Sequence, residues 1–213
     1  MAEIGFDSAK VWTSISGISN GFSDFKTALI DENQSNFISA VADAWYTEDA
    51  VKYMLKYKNT IDNYLESMRN TIDSLISAIN TNASNHASWT GNSYSPKTAN
   101  LPTGKLDVSA VQSKKGDKAG LDDGLFPSLW SKVLQVENHA RTAITSVRTA
   151  ANNSGFLNSQ ETQELISTIN TIENKMVSYM DDVYQNLKSM GDNVLASAQK
   201  ASQQNTSNFQ ING

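Results

Sequence analysis

Residues 51–79 read VKYMLKYKNTIDNYLESMRNTIDSLISAI. Apolar side chains fall at Val51, Met54, Ile61, Leu65, Met68, Ile72, Leu75 and Ile79, in alternating steps of three and four, with Lys58 off the stripe. That alternation is the seam of a helix that packs lengthwise on another. Upstream, Val11, Ile15, Ile18, Phe22, Phe25 and Leu29 keep the same steps. Phe37, Val41 and Trp45 resume them after a polar patch from Asp31 to Asn36. Neither Pro nor Gly occurs between Phe22 and Thr90, so nothing in that span breaks a helix. Two helices, one ending near Trp45 and one starting near Thr47, must fold back on each other to bury their stripes. Gly17 and Gly21 are expected to fray or bend the first of them.

The turn between them has its own chemistry. Thr47 is a good N-cap, because its hydroxyl can satisfy an orphan backbone N–H. Glu48 and Asp49 follow in the first turn, where carboxylates suit the positive end of the helix dipole. Trp45 is the last large apolar group of the first helix, and its simplest role is a plug closing the hairpin tip.

The second half repeats this layout. Laying Val51 on Thr162 puts Met54, Lys58, Ile61, Leu65, Met68, Ile72 and Ile79 over Leu165, Ile169, Ile172, Met176, Tyr179, Val183 and Met190. Asn59-Thr60-Ile61 falls on the identical Asn170-Thr171-Ile172. Trp45 falls on Phe156 and Thr47 on Asn158, which with Glu161 resembles a capping box. The helix before that turn carries Leu129, Val133, Val136, Ala140, Ile144, Val147 and Ala151. The pattern is a tandem repeat of helical hairpins, 1–90 and 123–204, followed by a flexible tail at 205–213.

Between the hairpins, residues 91–122 hold Pro96, Pro102, several Gly, and Lys97, Lys105, Lys114, Lys115 and Lys118. Helices of about 40 residues make a hairpin roughly 60 Å long, and about 30 extended residues reach roughly 100 Å. Parallel hairpins would need only a short joint, whereas an antiparallel pair needs a connection along the whole bundle. The expected fold is therefore all-α: two long hairpins packed as an antiparallel four-helix bundle, with the Trp45 and Phe156 turns at opposite ends. A disordered tether between independent hairpins is the competing arrangement. Pro127 falls in the first turn of the third long helix, where proline is tolerated.

Composition bounds the function. The 213 residues include no Cys and two His, and carry a net charge of −5. Absence of Cys excludes disulfides and thiolate metal or redox sites, and the acidic balance argues against a nucleic-acid partner. The first residues lack the basic region and apolar core of a cleavable signal peptide. No apolar run approaches a membrane span, so stable membrane insertion is not expected. His86 and His139 read as partly exposed packing residues, and Asp62, Glu66, Asp181 and Asp182 as a solvated helix face. The stretch from Gly116 to Gly120 lacks the ending of a phosphate loop, and Asp122-Asp123-Gly124 lacks calcium-loop spacing. No enzyme activity and no cofactor are expected.

Tryptophan near position 45, in the turn of a helical hairpin of just under one hundred residues, resembles the WXG family, small proteins exported by type VII secretion systems. The family's Trp-x-Gly turn is Trp45-Tyr46-Thr47 here, and the second half departs further with Phe156-Leu157-Asn158. Those six residues are the candidate recognition motif. WXG proteins commonly form antiparallel dimers of hairpins, so the resemblance implies a fused pair, paired within one chain. It further implies a non-enzymatic secreted protein or secretion helper, cytoplasmic before export and extracellular or surface-bound on a bacterium afterwards. Its partners would be a secretion ATPase or a co-secreted WXG or toxin protein. The family's export signal, Tyr-x-x-x-Asp or Glu, has no match at any of the seven Tyr. A helical pore-forming toxin component and a cytoplasmic structural adaptor are the alternatives.

Overall fold

Asp7 starts the first helix: its carboxylate accepts from the backbone N–H of Ala9 at 2.9 Å and Lys10 at 3.2 Å, satisfying donors that the first turn leaves unpaired. The computed structural model describes residues 6–155 and 160–208. Helix α1 (Ser8–Lys26) passes without interruption into a π-helical segment, Thr27–Ile38, and then into α2, Ser39–Ala44. Two extended residues, β1 (Trp45–Tyr46), lead to α3, Glu48–Thr90. The connecting segment ends in β2 (Gly120–Leu121), and a 3-10 turn at Phe126–Ser128, α4 (Leu129–Asn152) and α5 (Gln160–Asn208) follow. The fold is all-α, long helices packed on each other, with β1 and β2 its small antiparallel pair.

The π-helical segment has a cause in the spacing. Phe25, Leu29, Asn33, Phe37, Val41 and Trp45 are all buried and all four residues apart. In an α-helix each step of four overshoots a full turn by about 40°, and several such steps would carry the stripe off the core. Wider turns absorb that drift. The polar patch is thus only partly solvated: Asn33 is buried on the stripe, where its Nδ2 donates to Leu29 O at 3.2 Å and to Tyr57 Oη at 2.9 Å.

Gly17 and Gly21 do not interrupt α1, which is continuous through both. They mark its closest approach to α4. A Cβ on Gly17 would stand 2.9 Å from Ala150 Cβ, and one on Gly21 would stand 2.8 Å from Val147 Cγ2 and 3.0 Å from Val147 N. Ser14, one turn earlier, donates its hydroxyl to Ala150 O at 2.6 Å. Further along, Glu32 pairs with His139. All seven expected core positions of α4, from Leu129 to Ala151, are buried.

The two longest seams differ from the apolar reading in instructive ways. In α3 the stripe steps through Tyr57, fully buried, rather than past Lys58. In α5 it runs Thr162, Ile166, Ile169, Glu173, Met176, Met180, Val183, Leu187, with Leu165, Ile172, Tyr179 and Met190 only half-buried at its edge. A charged residue sits in that seam because Glu173 pairs with Arg148 of α4, which also donates to Asn170 Oδ1 at 2.8 Å. α5 continues as helix to Asn208, into the stretch expected to be a tail. From Asp192 onward its described side chains are exposed, apart from half-buried Leu195.

The connecting segment is no disordered tether. It lies along the furrow between α1 and α3 and buries Leu101, Leu106, Val108 and Val111. Two of its lysines reach the helices: Lys97 Nζ donates to Ser16 Oγ at 2.7 Å, and Lys115 pairs with Asp43 at 3.5 Å. Asp62 is likewise not merely solvated. It pairs with Lys58 and accepts from Leu106 N at 2.9 Å.

Candidate functional site

The Trp45 turn is built from three parts of the chain. α2 stops at Ala44 because Trp45 adopts extended backbone, φ −140° and ψ 109°. Trp45 pairs with Leu121 and Tyr46 with Gly120, and Asp122 N donates to Ala44 O at 2.8 Å. The end of the connecting segment therefore satisfies a carbonyl that the last turn of the helix would leave open. Thr47 is the N-cap of α3, its Oγ1 accepting from Ala50 N at 3.2 Å. Glu48 and Asp49 stand in the first turn, and their ion pairs to Lys52, at 3.9 and 4.0 Å, are solvent-exposed and contribute little.

Trp45 is 5 % exposed. The centroid of its indole lies 5.6 Å from that of the Phe126 ring, edge-on at 87°, and 5.8 Å from that of Tyr53. Both contacts come from outside its own helix, so Trp45 is the plug that joins the first hairpin to the entry of α4. Tyr46 is half-buried and covers Gly120. At the far end of α4, Gly155 takes φ 80° and lies against Lys10. Phe156, Leu157 and Asn158 lie outside the described residues, as does the cap expected there.

A second aromatic cluster lies further along α3. Tyr57 meets Phe37 edge-on at 5.1 Å and stacks on Tyr179 at 6.4 Å, and Tyr179 meets Tyr64 at 6.1 Å. Tyr57 donates to Met180 Sδ at 3.8 Å, and Tyr64 donates to Lys175 O at 3.2 Å. Burial pushes the Tyr53 and Tyr57 phenols well above the usual tyrosine range, the Asn33 hydrogen bond opposing it at Tyr57. Unfolded tyrosines ionise near pH 10, so the stability tied to these protons is intact below about pH 10 and is lost as pH rises beyond it. Urea midpoints between neutral and strongly alkaline pH should fall above about pH 10. Tyr57→Phe should make that fall shallower, and an unchanged slope would exclude the assignment.

His139 pairs with Glu32 at the surface, and His86 lies 6.2 Å from the Phe6 ring. Among the described residues no group of three or more His, Cys, Asp or Glu is arranged to hold a metal ion. No helix among them is long and apolar enough to cross a membrane. Reading the sequence alone missed Asn33, Tyr57 and Glu173, because polar groups in a seam look like interruptions of it. No family model, curated protein or solved structure matches this chain.

Proposed function

We propose that the chain is a non-enzymatic protein of WXG-type export, a secreted substrate or a helper that escorts one, with two hairpins fused and packed as an antiparallel four-helix bundle. The observation that carries this reading is the first turn: a tryptophan at a hairpin tip, buried against an aromatic group from the other half of the chain. The order of contacts supports the antiparallel arrangement. Ser14, Gly21 and Glu32 meet Ala150, Val147 and His139 in descending order, and Tyr57 and Tyr64 meet Met180 and Lys175 likewise. Trp45 lies by Phe126 at one end, and Gly155 by Lys10 at the other.

In this reading the work is done by packing and presentation. Fusion makes the pairing intramolecular, so no second WXG protein is needed to cover the seam. The missing Tyr-x-x-x-acid signal assigns recognition by the secretion ATPase to another part of the surface or to a co-secreted partner. Expressed in a bacterium with a type VII system, the protein should accumulate in the culture supernatant and vanish from it when the system's ATPase is deleted. Retention in the cytosol of both strains, with no secretion component recovered alongside it, would sink the proposal. Release of dye from liposomes would favour the pore-forming alternative.

A further inference from the structure

The furrow between α3 and the first rod, α1 with the π-helical segment that continues it, is filled by residues 94–111, and the manner of filling is that of a bound peptide. Pro96 and Pro102 favour extended backbone and remove two N–H groups that would otherwise need partners. From Gly104 to Ser109 the segment alternates like a strand, with Leu106 and Val108 buried and Lys105, Asp107 and Ser109 exposed. Gly104 sits so close to the helix that a Cβ there would stand 3.0 Å from Lys26 Cε and 3.2 Å from Ile30 Cγ1.

The helices grip the segment's backbone with side-chain amides. Asn80 donates to Lys97 O at 2.9 Å and accepts from Lys97 N at 3.0 Å. Gln34 does the same at Asp107, donating to its O at 2.7 Å and accepting from its N at 2.8 Å. A carboxamide carries a separate donor and acceptor side by side, so it can satisfy both backbone groups of a single residue without a charge. Asp62 takes the N–H of Leu106, and Trp12 Nε1 donates to Ser95 O at 3.2 Å. These bonds read main chain, not side chain, which is how peptide grooves obtain affinity while apolar pockets set specificity. The gripped segment is flanked by exposed residues at 91–93 and 114–119, so it can leave without unwinding a helix.

We propose that the α1/α3 furrow is a peptide-binding groove occupied in cis by residues 94–111, and that its partner in trans is an extended protein segment with apolar residues at the offsets of Leu101, Leu106, Val108 and Val111. The groove is independent of the secretion reading. Tethering gives the resident segment an effective concentration in the millimolar range, so a competitor sees only the small open fraction and its apparent affinity is reduced by that fraction.

The probe is a fluorescent synthetic peptide of residues 93–112, titrated by anisotropy into the full chain. Leu106→Asp in the chain unseats the resident segment, and the peptide should then bind at least about tenfold tighter than to the wild-type chain. Adding Asn80→Ala and Gln34→Ala should abolish that gain. Equal binding to wild-type and Leu106→Asp chains, or a gain that survives loss of both amides, overturns the proposal. A second arm avoids the risk that Leu106→Asp fails to fold. A chain with protease sites inserted after Gly91 and at Asp117 is cut at both, and labelled peptide should replace the resident one while helical circular dichroism is retained. Loss of helicity on cutting, or no incorporation of label, overturns it as well.

Discussion

Trp45→Ala is expected to lower folding stability by about 3–5 kcal/mol, the range for truncating a buried large aromatic side chain. The cost should lie at the upper part of that range, because the indole is held on two sides by rings from different parts of the chain, Tyr53 and Phe126. Neither ring can follow a collapsing cavity without moving its own helix. Phe126 opens the turn into α4, and Tyr53 sits in the second turn of α3. The backbone pairing of Trp45 with Leu121 survives the substitution, so the tip should loosen without coming undone. Urea unfolding should show a lower midpoint with an unchanged slope, the sign of lost stability without a change in exposed surface. Trp45→Phe keeps an aromatic plug and should recover most of the loss. A midpoint equal to wild type for Trp45→Ala would remove the plug role. If secretion were then lost too, Trp45 would be a recognition residue.

The sequence disclosed the all-α class and the buried faces of the helices far better than the polar details on those faces, for a physical reason. Apolar periodicity reports which face of a helix avoids water, and α4 obeys it at every expected position. It is blind where a polar group is buried with a partner from another helix. Glu173 lies in the α5 seam because Arg148 faces it, and nothing near Glu173 in sequence announces that arginine. Skipping Glu173 shifts the inferred stripe toward Ile172 and Tyr179, the half-buried edge. Asn33 is hidden in the same way by Tyr57, a long-range partner. The grip on the connecting segment was unreadable as well: Asn80 and Gln34 look like solubilising residues until the backbone they hold is known. At the candidate site, Thr47 and the plug were legible because a cap is local and a terminal tryptophan needs cover. That the cover includes Phe126 and pairing with β2 was not, since one comes from beyond the connection and the other from its far end.

The glycines of α1 show the same blindness and give the other large expected effect. Read locally, Gly17 and Gly21 are weak helix formers, and replacing either with alanine should gain roughly 1 kcal/mol. Read in the fold, a side chain at Gly21 meets Val147 N at 3.0 Å and Ala143 O at 3.3 Å. Those atoms belong to the α4 backbone and cannot turn aside as a side chain can. Overpacking of this kind costs about 1–3 kcal/mol, occasionally more, so the clash outweighs the propensity gain. Gly21→Ala should destabilise modestly. Gly21→Val, with two further carbons and little propensity gain, should destabilise by about 3 kcal/mol or more. α1 and α4 would have to separate, stretching the 2.6 Å bond from Ser14 to Ala150 O about two turns back along α1. Gly17 offers the control, because its neighbour is a methyl group: Ala150 Cβ at 2.9 Å. Ala150→Gly vacates that space, so Gly17→Ala should be harmful alone and tolerated beside Ala150→Gly. A double-mutant cycle on thermal or urea stability should return a favourable coupling of about 0.5–3 kcal/mol, as residues in direct contact do. Additive effects at Gly17 and Ala150, with Gly21→Val as stable as wild type, would mean that α1 and α4 do not approach each other along this stripe. In that case the pairing of the two hairpins would have to be redrawn.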